Sequence, residues 1–108
     1  MSLIGKYECK EIGATLEITE ANNSNGQGNG VFSYGEVKNC KVSLHYHFEN
    51  NTGKNMNLNI WGCSDDPNRY IGCAGYMANH ASAVEMDVAG GIATIGNASS
   101  FSGKFVRV

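Results

Sequence analysis

The chain has 108 residues, 17% of them charged, with a formal net charge of -2 and an isoelectric point near 5.8. No basic field is available to hold a phosphate backbone or an anionic lipid surface, which argues against nucleic acid and membrane as partners. Fourteen glycines, thirteen asparagines and one proline, without a long run of Ala, Leu, Glu and Lys, describe a single domain over residues 1–108 made of short strands and turns.

Eight strand-like runs follow at nearly even spacing. The first, 5–12, opens on Gly5-Lys6-Tyr7 and stops at Gly13; the second, 14–21, carries Leu16 and Ile18. Residues 22–29 are almost entirely Asn, Gly, Ser and Gln, side chains that suit a mobile hairpin loop, and the third strand, 30–37, holds Phe32 and Tyr34. The fourth, 41–49, alternates cleanly: Val42, Leu44, Tyr46 and Phe48 are apolar, whereas Ser43, His45 and His47 are polar. The fifth, 55–63, sets Met56, Leu58 and Ile60 against Asn55, Asn57, Asn59 and Trp61. A hairpin through 50–54 that opposes Leu44 to Ile60 and Tyr46 to Leu58 also opposes His45 to Asn59 and His47 to Asn57, separating a dry face from a polar one. Strands at 69–78, 83–89 and 101–108 complete the set, with 64–68 and 90–100 as loops. Short sequential connections favour antiparallel neighbours, and eight of them close most simply into an all-β, eight-stranded antiparallel up-and-down β-barrel.

Catalytic and metal signatures are weak. There is no Gly-x-Ser-x-Gly elbow, no phosphate-cradling loop and no Cys-x-x-Cys pair, so neither an enzyme nor a cofactor is expected. His45 and His47 share a strand face and His80 is a third imidazole, yet polar-face histidines are the simpler account and no metal is expected. Asp65-Asp66-Pro67-Asn68 lacks the ligand spacing of a calcium loop and suits a turn. Four cysteines, Cys9, Cys40, Cys63 and Cys73, suit one or two disulfides and therefore a secreted or periplasmic protein. Met1-Ser2-Leu3 fits either a native start or a remnant left in place of a signal peptide. Cys40 and Cys63 fall on opposite parities, so a bridge between them requires a bulge near Gly62.

The Gly5-Lys6-Tyr7 opening, the Gly13-Ala14 turn, the return from Gly30 to Tyr34, Trp61, Gly75-Tyr76 and the closing Phe105-Val106-Arg107-Val108 fall in an order that resembles the avidin and streptavidin family. The resemblance implies an avidin-like barrel that binds a small molecule, assembles as a homodimer or homotetramer, and places Tyr34 and Trp61 at the ligand. By position it also suggests Cys9 with Cys73 as a bridge; pairing among the four cysteines remains open. Departures bear on the ligand. Ala14 replaces the family's serine, residues 84–88 hold no aromatic, and the last strand lacks the family's aspartate. Each lost partner of a buried polar ligand costs roughly 1–3 kcal/mol, which argues against tightly bound biotin.

Two placements of the polar face are open. In an ordinary barrel the apolar face fills the lumen. In an avidin-like one, polar and aromatic residues line the lumen mouth, and the outer face of Val42, Leu44, Tyr46, Met56, Leu58 and Ile60 is covered by sister subunits. The second gives a ligand set of Tyr7, Tyr34, His45, Asn57, Asn59 and Trp61 for a small polar, ring-bearing molecule. A glycan is the alternative ligand, held by Asn57, Asn59, Trp61, Asp65, Asp66, Asn68 and Tyr70; in that case Trp61 is exposed. A third reading makes the barrel the scaffold of a secreted inhibitor or interaction domain, acting through its loops.

Overall fold

The period-two pattern is realised in most of the described strands. The computed structural model describes residues 3–35, 37–48, 55–64, 69–78 and 84–108. Among them eight strands follow in chain order: β1 (Gly5–Cys9), β2 (Ala14–Asn22), β3 (Gln27–Tyr34), β4 (Val37–Phe48), β5 (Met56–Cys63), β6 (Tyr70–Met77), β7 (Glu85–Thr94) and β8 (Asn97–Arg107). Each is antiparallel to the next and β8 returns to β1, closing an up-and-down barrel. The β4–β5 hairpin has the register expected from the two parities, with Leu44 opposite Ile60, His45 opposite Asn59, Tyr46 opposite Leu58 and His47 opposite Asn57.

Burial decides which face is inside. Leu16, Ile18, Phe32, Val42, Leu44, Tyr46, Met56, Leu58, Ile60, Met77, Met86, Val88, Phe101 and Phe105 are all buried. Phe32 packs on Phe101 and Phe105 at ring distances of 5.6 and 6.1 Å, across the lumen from β3 to β8. The lumen is therefore a filled core. Every apolar side chain turned inward leaves water, at roughly 25 cal/mol per Å² of apolar surface. This corrects the outward placement of Val42, Leu44, Tyr46, Met56, Leu58 and Ile60, and with it the argument that sister subunits must cover them.

Two segments expected to be loops are largely strand. β2 and β3 pair out to Asn22 and Gln27, leaving only residues 23–26 as a turn. There Asn22 Oδ1 accepts from Ser24 N–H (3.0 Å) and Ser24 Oγ (2.6 Å), and Gly26, at φ +68°, donates to Asn22 O (2.9 Å). Tyr46 N–H donates to Gly26 O (2.8 Å) and Tyr46 OH to Asn23 Oδ1 (2.9 Å), pinning the turn to β4. At the other end β7 and β8 run on to Thr94 and Asn97 around Ile95-Gly96. The glycines that suggested a break at 90–91 answer a packing demand instead. A Cβ on Gly90 would lie 2.2 Å from Cys73 Cβ, and one on Gly91 would lie 2.9 Å from Ser99 O.

The first and last strands meet over two residue pairs, Tyr7 with Arg107 and Glu8 with Val106. Arg107 Nη1 donates to Tyr7 OH (2.9 Å) and Nη2 to Ile4 O (2.6 Å), while the guanidinium carbon sits 5.4 Å from the Tyr7 ring centroid. Tyr7 OH in turn donates to Leu3 O (2.8 Å).

Two glycines of facing strands separate steric need from openness. Gly90→Ala must displace β6 and is expected to destabilise the barrel by about 1–3 kcal/mol, the usual range for overpacking. Gly72→Ala, whose Cβ would meet nothing within 4 Å, is expected to be neutral or slightly stabilising. Urea unfolding of the two variants beside the parent chain checks the contrast, and equal losses would contradict it.

Candidate functional site

The six residues expected to share one ligand site occupy three places. Tyr7 is fully buried, and its hydroxyl is engaged by Leu3 and Arg107, so it closes the barrel and faces no ligand. Tyr34 lies half-buried at the end of β3, where the β3–β4 register shifts, with its ring 5.3 Å from Phe101. With Arg69, Ile92, Thr94, Asn97 and Ser99 it lines a cavity of about 230 Å³ at one mouth of the barrel. His45, Asn57, Asn59 and Trp61 lie on the outer surface, because their parity is opposite to that of the buried Leu44, Leu58 and Ile60. The lumen-lining role for these four is overturned by the same burial that fills the core.

What the structure assembles is an outer platform across β4 to β8. One row runs Ser43, Trp61, Gly72, Gly91, Ser100, each directly opposite the next. The next runs His45, Asn59, Ala74, Ala89, Ser102, and a third His47, Asn57, Tyr76, Asp87, Lys104. Trp61 is thus flanked by Ser43 and Gly72, with open space above Gly72. Trp61 is 49% exposed, and its row is otherwise made of Gly and Ser. Tyr70 and Tyr76, 57% and 40% exposed, stand on the same face of β6.

Three shallow concavities border these aromatics. One of about 700 Å³ runs from Trp61 past Ser43, His45, Asn29 and Gln27 to Glu20 and Ile4. In it, Asn29 Nδ2 donates to Glu20 Oε2 (3.3 Å) and Thr19 Oγ1 to Asn29 O (3.2 Å). A second, about 650 Å³, includes Asn57, Tyr76, Asp87 and Lys104; the third, about 260 Å³, lies between Tyr70, Gly72, Gly91 and Ala98. Lys104 Nζ approaches Glu85 Oε1 (3.4 Å) and Asp87 Oδ1 (3.5 Å) on this exposed surface, and its pKa is raised, first by the hydrogen bond to Glu85. The platform offers flat apolar rings, amides that both donate and accept, hydroxyls, and one balanced charge cluster.

Tyr76 and Gly72 are members that the sequence reading did not single out for this face. Their signal is the alternation of β6, in which Ile71, Cys73, Gly75 and Met77 point inward and Tyr70, Gly72, Ala74 and Tyr76 outward. His45 and His47 meet edge to face at 4.7 Å, and among the described residues no three His, Cys, Asp or Glu side chains converge. His80 and the segment 65–68, including Asp65, Asp66 and Asn68, lie outside the described residues. Comparison with family models, with curated proteins and with solved structures finds no match for this chain.

The expected disulfides are absent, and Cys9, Cys40, Cys63 and Cys73 are all thiols. Cys40 points into the core and Cys63 to the outside, as their parities require. Cys9 abuts Gly103 of β8, and Cys73 abuts Gly90 of β7. The secreted or periplasmic expectation rested on bridges and loses that support. Burial pushes the Cys73 thiol up to about 12 from 9.0, and also raises Tyr7 and Tyr46.

For an acid that is neutral when protonated, a raised folded-state pKa means that the unfolded chain ionises first as pH rises. Stability is therefore complete below pH 9.0 and falls as pH climbs toward 12, with Cys73→Ala removing part of the slope; melting curves across that range test it. In native protein without reductant a maleimide should label Cys63 quickly, and in denaturant all four positions. Mass spectrometry showing fewer than four labels after unfolding would contradict the thiol assignment.

Proposed function

We propose that this chain is a non-enzymatic carbohydrate-binding module whose site is the outer platform of β4 to β8. The observation that carries the reading is Trp61: half exposed, cleared on one side by Gly72 and on the other by Ser43, with Asn59 and His45 in the next row and Asn57 in the row beyond. A sugar ring has one face of C–H bonds and a rim of hydroxyls. Its apolar face stacks on an exposed indole or phenol, and its hydroxyls need groups that donate and accept at once, which amides do. Tyr70 and Tyr76 extend the aromatic surface along β6, about 20 Å apart at the usual rise of a strand, which suits a glycan of several rings.

A second reading keeps the small ligand implied by the avidin resemblance and locates it at the mouth beside Tyr34, Thr94, Asn97, Ser99 and Arg69. That cavity, about 230 Å³, is smaller than most small-molecule sites, which run from roughly 300 to 1,000 Å³. Below that mouth, Phe32, Phe101 and Phe105 occupy the lumen. The outer platform is the stronger candidate for both reasons.

Trp61 is the only tryptophan, so its fluorescence reports on the site directly. Acrylamide should quench it in the free protein, and a bound oligosaccharide should shift its emission and protect it. Trp61→Ala should weaken binding by about 30-fold or more, the equivalent of ~2 kcal/mol for an aromatic anchor, while leaving the melting temperature nearly unchanged. Emission that ignores a broad panel of soluble glycans would sink the carbohydrate reading. Tyr34→Phe combined with calorimetric titration of biotin tests the mouth in the same way.

A further inference from the structure

Closure leaves most of one strand edge without a partner. β8 pairs with β7 from Asn97 to Val106, but on its other side only Val106 and Arg107 face β1. β1 ends at Cys9, and residues 10–13 form the turn into β2, with Ile12 beside Gly103 and Glu11 bordering the cavity that Ser102 and Lys104 line. The phase of the ladder is set at its end, where Arg107 N–H donates to Val84 O (2.6 Å) and Val108 N–H to Lys6 O (3.0 Å). Odd-numbered residues of β8 therefore direct their backbone groups to β7 and even-numbered ones to the seam. Ala98, Ser100 and Ser102 each present an N–H and a C=O to the open side, and all three are exposed. Natural edges are usually guarded by lysine, proline or a bulge. From Asn97 to Gly103 this one carries no charge and no proline, and its register with β7 is unbroken.

We propose that this edge is paired with the same edge of a second copy, antiparallel, about a two-fold axis at Ser100. In that register Ser100 opposes Ser100 of the second copy, and Ala98 opposes Ser102. Antiparallel self-pairing brings even-numbered residues against even-numbered ones, so all six free backbone groups on each copy find partners. The outer-face side chains that meet are Ala and Ser, with Glu11 bordering Ser102 and Lys104 at each end of the ladder. The two Lys104 side chains lie at opposite ends of the ladder, so like charges are kept apart. Ile95, 80% exposed at the β7–β8 turn, lies at each end of the ladder, beyond the paired residues. The pairing does not depend on the carbohydrate reading.

The experiment is sedimentation equilibrium across the micromolar range. The parent chain should reach twice the 11.6 kDa of one copy. Ser100→Lys and Ser100→Glu each place like charges directly opposite one another and should sediment as single copies that still melt cooperatively, at a temperature independent of concentration. Mixed in equal amounts, the two variants should recover the doubled mass, since the axis then opposes Lys to Glu. Ser100→Pro removes a seam-facing N–H without touching the β7 ladder and should also give single copies. A parent chain that stays at 11.6 kDa, a Ser100→Lys chain that still pairs, or a mixture that does not re-associate would each overturn the proposal.

Discussion

The barrel depends on one junction, where Arg107 is held against Tyr7 and Ile4 from the far end of the chain. Tyr7 and Arg107 are 100 residues apart in sequence, and only two residue pairs join their strands. So short a seam gives few ladder hydrogen bonds, and a two-stranded contact of this length is marginal by itself. The guanidinium compensates by donating to two oxygens at once and lying over the Tyr7 ring, whose hydroxyl then reaches back to Leu3. Charge-assisted bonds of this kind are stronger than neutral ones. The tyrosine is fully buried, so losing Arg107 would leave its hydroxyl with Leu3 O as its partner and its acceptor lone pairs desolvated.

Closure at that point turns a flat pattern into an inside and an outside. Once β8 meets β1, every strand has one face toward a space that must be filled. Phe32, Phe101, Phe105, Leu44, Met56, Met77 and Met86 fill it. Ring-on-ring contact from β3 to β8 ties the middle of the chain to its end. The polar parity is then forced outward, and the residues that suggested a polar lumen become the surface. Because the seam is short, closure also leaves the rest of β8 as an edge. The platform and the edge are thus two consequences of the same constraint.

Much of this was legible because strands record their faces in parity. The β4–β5 register followed from Val42 to Phe48 and Met56 to Ile60 alone, since a slip of one residue would have mixed apolar and polar side chains. Which face is interior was not legible from that hairpin, because two opposed parities look alike until the whole ring is closed. Tyr7 and Tyr34 appeared as ligand residues through family likeness, which carries no parity information; burial sends one into the core and the other to the mouth. The segments at 22–29 and 90–100 looked like loops because Gly and Asn are poor strand formers. Close approach of Cys73 to Gly90 and of Ser99 to Gly91 is a tertiary fact that no local window contains. The cysteines misled for a related reason: an even count in a small chain suggests bridges, whereas Cys9 and Cys73 fill gaps against Gly103 and Gly90, Cys40 is buried and Cys63 is exposed.

Gly72 is the residue for which packing offers no reason. Glycine in a strand interior weakens it by lost entropy and a missing side chain, roughly 0.5–1 kcal/mol against alanine. Gly90 and Gly91 are excused by atoms that a Cβ would strike, but Gly72 has nothing within 4 Å of where its Cβ would be. Its cross-strand neighbour is Trp61, and aromatic with β-branched is among the more stabilising pairs a sheet can form. A chain shaped for stability alone would place valine or isoleucine here and cover the indole. Leaving the position bare keeps one face of Trp61 open, on a row otherwise made of Ser43, Gly91 and Ser100. The stability forgone at Gly72 supports the proposal that this surface is kept clear for a ring that stacks there.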